Sequence, residues 1–383
     1  MKPLSIFFDE APPPKKDPNP PYRITNPSLS LLKKTKFNQR HRELSLFENM
    51  GRSSCGDDYD DRSSNFSDIN SDRSGEFSPT SADDLRRGLF RNSSDLDRLI
   101  SDLESPSLDT QREAALGLRL LAKDSPDKRL RIAGAGAIPP LVALLSSTDP
   151  KLQEYCVTAL FNLSLCEENK TVIADAGAIK SLLKPLKSGT STARGNAACA
   201  FIRLSQIEDF KIAIGRSCAI PPLIALLEKG EIRGKKDAVT ALYQLCSLRE
   251  NKIRAVQSGI MRPLLELLAD PDSMMLDKAA MVVKILVTVP EGKTALVEEN
   301  GIAVLVEIVE VGSQKLKEIS VGILFQICED SVTNRVLVTR EGAIPPLVAL
   351  SQSGTTRARQ KAEQLIEMLR QPRSGIGAAR GSD

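Results

Sequence analysis

A six-residue phrase, Gly-Ala-Ile-Pro-Pro-Leu, returns along the chain at an almost constant distance, and it constrains the fold more than any other feature. It stands intact from Gly136 and Gly342, as Cys-Ala-Ile-Pro-Pro-Leu from Cys218, and abbreviated from Gly177, Gly259 and Gly301. The first positions lie 41, 41, 41, 42 and 41 residues apart. A period of this size, held in register over more than two hundred residues, is the signature of a solenoid, in which each unit buries its apolar face only against its neighbours.

The phrase has a physical reading. Glycine after a helix end supplies the left-handed backbone that stops the helix, and proline pre-sets the first turn of the next. Behind it Ile138, Leu141, Val142 and Leu145 follow helical spacing. A further helix carries Leu152, Cys156, Ala159, Leu160 and Leu163 on one face. The pattern recurs through Ala193, Ala197, Ala200, Phe201 and Leu204, then through Gly234, Ala238, Ala241, Leu242 and Leu245. The segments 93–134 and 341–371 read as atypical capping ends. Cys218, standing where the other units have Gly, predicts a helix end that closes differently.

Composition narrows the function. The chain of 383 residues has no Trp, one His and a net charge of +3. The seven cysteines are far apart without a Cys-x-x-Cys pair, so neither a disulfide framework nor a zinc site is expected. The lone His41 lies between Arg40 and Arg42 without a nucleophile or paired ligands, and no phosphate-cradling glycine loop is present. No enzyme activity, cofactor or metal is expected, and the balanced charge and scarce aromatics argue against nucleic acid. Neither a secretory leader nor an apolar run long enough to span a membrane appears, so the expected location is the cytoplasm, the nucleus or both.

Residues 1–92 are rich in Ser, Pro and charge, with apolar residues scattered singly, and they predict a disordered tail. A basic stretch (Lys33, Lys34, Lys36, Arg40, Arg42) and an acidic one (Asp57, Asp58, Asp60, Asp61, Asp68, Asp72) nearly cancel. A second short tail is expected over 372–383. The three-part organisation is thus a tail over 1–92, repeats over 93–371 and a C-terminal tail.

With its period, its Gly-bounded short helices and the phrase Ala159-Leu160-Phe161-Asn162-Leu163-Ser164, the region 93–371 resembles the armadillo repeat. The resemblance implies an all-α, right-handed superhelix. More narrowly, ALFNLSLCEENK over 159–170 and LLAKDSPDKRLR over 120–131 resemble the armadillo region of plant U-box ubiquitin ligases. Nothing in 1–92 reads like the F-x-C-P-I-[ST] opening of a U-box. The resemblance therefore implies the partner-holding half of such an enzyme: a protein-interaction adaptor or scaffold in plant signalling or ubiquitin-linked regulation, with kinases or ubiquitin-ligase components as candidate partners. Two alternatives stay open, a ligase with a divergent U-box and a self-associating structural protein, and the oligomeric state is not legible.

If the apolar set of the third helix faces the core, residues half a turn away line a concave groove. These are Lys151, Tyr155, Thr158 and Asn162; Thr192, Asn196, Cys199 and Arg203; Arg233, Asp237, Thr240 and Gln244; Met274, Lys278, Met281 and Ile285; and Lys315, Ile319, Gly322 and Gln326. Asn162 matches the family's groove asparagine, whose amide bonds the main chain of an extended peptide, with Gln244 and Gln326 suited to the same task. Arg203 suits a carboxylate or phosphate. Nuclear import adaptors of this fold carry Trp where Thr158, Cys199, Thr240, Met281 and Gly322 stand, so import-signal reading is not expected. Met274, Met281 and Ile285 form either an apolar patch or a locally rotated, buried helix face. Ser78, before Pro79, and Ser94, in Arg91-x-x-Ser94, are candidate phosphorylation sites whose phosphate would dock on groove arginines.

Overall fold

A computed structural model describes residues 93–370. The tail segments 1–92 and 372–383, with Ser78, His41 and Cys55, lie outside the described residues. Among these there is no strand.

Each repeat is a short first helix, a second helix and a longer inner helix, as in Pro126–Gly134, Ile138–Leu144 and Pro150–Leu163. The inner helices are α1 (Leu108–Asp124), α2 (Pro150–Leu163), α3 (Ser191–Leu204), α4 (Ile232–Leu245), α5 (Leu276–Leu286), α6 (Gln314–Glu329) and α7 (Thr356–Arg370). Successive inner helices pack broadly on one another, while successive second helices barely touch. The stack therefore curves toward its inner helices, and their outward-facing side chains form the concave face.

The punctuation works as the sequence predicts, with two corrections. Gly136, Gly177, Gly259 and Gly342 take left-handed backbone (φ 88, 82, 79 and 77), and prolines occupy the first positions of the second helices at Ile138–Leu144, Ile220–Lys229 and Ile344–Ser353. Cys218 does not close its helix differently: it is forced into the same left-handed region, φ 64. In the fifth unit the left-handed residue is Asn300 (φ 58), not Gly301, which is the first residue of Gly301–Val311. A Cβ on Gly301 would stand 2.3 Å from Leu296 Cδ1, so that glycine answers a packing demand. Where proline is missing from the phrase after Gly177, Pro185 stands later and has no N–H for the Ser181 carbonyl. The second helix breaks there into Ala178–Ser181 and Leu183–Ser188.

Five inner helices are opened by side-chain caps one residue ahead of them: Ser107, Asp149, Thr190, Ser313 and Thr355 each accept from the N–H three residues on. Each such cap contributes about 1 kcal/mol. Glu231 and Met275, before α4 and α5, make no such bond. One continuous core runs the length of the stack. Fully buried Phe201, Leu160 and Leu242 fill it, and Ala159, Ala197 and Ala238 let neighbouring inner helices approach closely. Leu96 and Leu99 of Ser93–Asp102, with Leu103 just after it, cover the first end, and Leu365 and Ile366 of α7 face in at the last.

Candidate protein-binding inner face

The floor of the inner face is a set of ties between repeats. Arg112 of α1 grips Asp149, the cap of α2, through two hydrogen bonds, Nε to Oδ1 at 3.0 Å and Nη2 to Oδ2 at 2.6 Å. The same carboxylate accepts from Leu152 N at 2.7 Å. The Arg112 hydrogen bond, helped by that backbone donor, draws the Asp149 carboxyl down to about 2. The motif repeats with other chemistry: Thr190 Oγ1 donates to Glu154 Oε2 at 2.5 Å, and Thr355 Oγ1 to Glu318 Oε2 at 2.5 Å.

These ties correct part of the predicted groove. Thr158, Asn162, Asn196 and Thr240 are buried rather than presented. Asn196 Nδ2 donates to Thr158 Oγ1 at 2.8 Å, Asn162 Nδ2 to the Arg119 carbonyl at 3.3 Å, and Lys278 Nζ to Thr240 Oγ1 at 3.3 Å. The helices come so close that polar groups half a turn from the core meet the next repeat before they meet solvent. Cys199 and Ile319 lie in the core for the same reason.

The remaining predicted residues do reach the surface. Lys151, Arg233 and Lys315 are exposed, and Tyr155, Thr192, Arg203, Asp237, Gln244, Lys278, Met281, Ile285, Gly322 and Gln326 are half-exposed. Met281 and Ile285 sit together on α5 as half-exposed apolar side chains. Met274 departs from both readings: α5 begins only at Leu276, so Met274 sits 78% exposed in the preceding turn while Met275 goes into the core. Ser94 is exposed near the start of Ser93–Asp102.

The structure adds residues that the sequence spacing missed. Arg119 of α1 lies over the Tyr155 ring at 5.4 Å, and burial pulls its guanidinium below the usual arginine value. Lys361 of α7 lies over the Phe325 ring at 3.9 Å. On the first helices, Asn169 donates to the carbonyls of Leu163 (3.0 Å) and Arg129 (3.3 Å), and Asn251 to those of Leu245 (3.0 Å) and Lys211 (3.4 Å). The recurrence of Glu-Asn-Lys at 168–170 and 250–252, two periods apart, was a legible signal for this role.

An armadillo solenoid presenting a continuous inner face of mixed polarity is the class of protein these features define. The chain belongs to the family described as the plant U-box protein ARM repeat region, whose model matches residues 95–374. It is similar to U-box domain-containing protein 14 of Arabidopsis thaliana, 63% identical over 73% of this chain and 45% of that protein. It is also similar to U-box domain-containing protein 12 of Oryza sativa subsp. japonica, 61% identical over 71% of this chain and 45% of that protein. The chain thus spans less than half the length of the curated relatives it matches. Among solved structures, an engineered protein superposes with a TM-score of 0.62 at 26% identity, covering 72% of this chain and 68% of that one.

Proposed function

We propose that the inner face holds extended segments of partner proteins, and that the chain is a partner-binding adaptor or scaffold in ubiquitin-linked regulation. One observation carries the reading: from α3 to α6, Arg203, Gln244, Ile285 and Gln326 recur 41 residues apart, one repeat each, half-exposed and differing in chemistry. A rigid row of this kind matches an extended peptide, giving each part of it a different side chain to meet. The U-box relatives support placing that adaptor beside the ubiquitin machinery.

Photo-crosslinking tests it. A benzoylphenylalanine placed at Gln244 or Gln326 of the full chain in plant extract is expected to capture partners that the same group at Lys180 or Arg216, exposed on second- and first-helix surfaces, does not. Capture from the latter positions alone would move binding off the inner face.

The U-box relatives also favour a second reading, direct ligase activity. Ubiquitin chain formation by the purified chain with a conjugating enzyme and activating enzyme would establish it over the adaptor reading.

A further inference from the structure

The first helices of four successive repeats carry a lysine at the same place: Lys170, Lys211, Lys252 and Lys293. Three of them reach forward to the turn behind the next inner helix. Lys170 Nζ donates to Gln206 Oε1 at 2.6 Å, Lys252 Nζ to Thr288 Oγ1 at 2.8 Å and Lys293 Nζ to Asp330 Oδ2 at 2.7 Å. The register assigns Ser247 to Lys211, but no bond joins the two; the Ser247 hydroxyl donates to the Gln244 carbonyl at 2.8 Å, as that of Thr288 does to the Ile285 carbonyl. The Lys211 ammonium makes no hydrogen bond or ion pair with any described residue.

Lys211 lines a depression of about 340 Å³ at the ends of α3, α4 and α5, together with Ser205, Gln206, Tyr243, Gln244, Ser247 and Ile285. No carboxylate is in the lining. The Gln206 oxygen is taken by Lys170, a group that can only donate, so both amide N–H groups of Gln206 remain for another acceptor. Gln244 is joined to Ser205 Oγ at 2.7 Å, and whichever way its amide is turned, at least one N–H stays unused. The wall is therefore one cation and two amide donors, backed by the half-exposed Tyr243 ring and Ile285 side chain.

We infer that this depression is a subsite for a single carboxylate, the glutamate side chain of a partner segment lying along the inner face. The inference rests on the reading of that face as the binding surface. One positive charge with neutral donors balances one negative charge, whereas a phosphate dianion calls for a second cation, and the nearby Lys170 is already paired with Glu167. Tyr243 and Ile285 supply apolar contact for the glutamate methylenes.

Random dodecapeptides displayed on phage and selected on the full chain, then synthesised and measured by fluorescence anisotropy, provide the test. Selected peptides are expected to share one acidic position, and Glu→Gln there to weaken binding about tenfold, the effect of one lost charge-assisted hydrogen bond. Lys211→Met should weaken the Glu peptide to the same degree and leave the Gln peptide unchanged, while Lys211→Arg keeps the preference. Circular dichroism verifies that both variants are folded. Indifference to Glu→Gln, an equal loss of both peptides in Lys211→Met, or phosphoserine preferred over glutamate at that position overturns the subsite and leaves the groove reading standing. Failure to select any peptide removes the groove reading itself.

Discussion

Cys218→Gly should stabilise this protein, against the usual direction of a random substitution. The six junctions between first and second helices all demand left-handed backbone, and four of them have glycine. An L-residue other than Asn or Asp loses about 1–2 kcal/mol in that region, and the exposed Cys218 side chain has no hydrogen bond among the described residues to offset it. Glycine relieves that cost but adds about 0.4–1 kcal/mol of unfolded-chain entropy. The net gain is about 0.5–1 kcal/mol. The other junctions give an internal control. A Cβ added at Gly136, Gly177 or Gly342 would touch nothing within 4 Å, so Ala there is penalised by backbone conformation alone. The triple variant Gly136→Ala, Gly177→Ala, Gly342→Ala should lose about 2 kcal/mol, because sites this far apart add. Urea melts of the full chain followed by circular dichroism measure both. Hydrogen exchange at Ile220 and Leu223 shows whether the change is local, as a solenoid with nearest-neighbour coupling requires. A Cys218→Gly chain that melts at or below the parent, or a triple variant as stable as the parent, would refute the conformational argument.

Three further outcomes follow from the packing and the ties. Gly215→Ala puts a Cβ 1.9 Å from Asn251 Oδ1, displacing an amide that bonds two carbonyls, and should cost at least about 2 kcal/mol in a urea melt. Asp149 sits at about 2 when folded, below its ordinary value of 3.8, so its contribution is complete above about pH 4 and disappears as pH falls toward 2. Melts across that window should show a smaller loss of stability for Asp149→Asn than for the parent. Burial pushes the Cys156, Cys246 and Cys328 thiols up to about 12. Mass spectrometry after brief alkylation at neutral pH should find Cys218 modified first among the described cysteines, and these three only after denaturation.

The repeat period, the helix stops and the apolar sets were all legible, because each depends on residues close in sequence: Ile138, Leu141, Leu152, Leu160 and Leu163 are buried as their spacing requires. The inner face was legible only in outline. Helical spacing tells which way Thr158 and Asn196 point, but not that α2 and α3 approach until the two residues bond each other. Gly301 misled because glycine meets two unrelated demands, and here Asn300 carries the backbone one. The ties of the lysine series were not legible, since their partners Gln206, Thr288 and Asp330 lie almost a whole repeat away, and Asn169 and Asn251 each join a carbonyl six residues back to one a repeat away.

The ties are not spread evenly. Between α1 and α4 they are part-buried or buried, as in Arg112–Asp149, Thr190–Glu154, Asn196–Thr158 and Ser205–Gln244. Beyond α5 they are mostly wet, as in Lys293–Asp330, Thr355–Glu318 and Lys315–Asp277. Dissolved ions screen exposed charges and scarcely reach sheltered ones. Ionic strength therefore acts unevenly along the stack. Added salt is expected to loosen Lys293–Asp330 and Lys315–Asp277 at the rear while leaving the uncharged ties Asn196–Thr158 and Ser205–Gln244 at the front as they are.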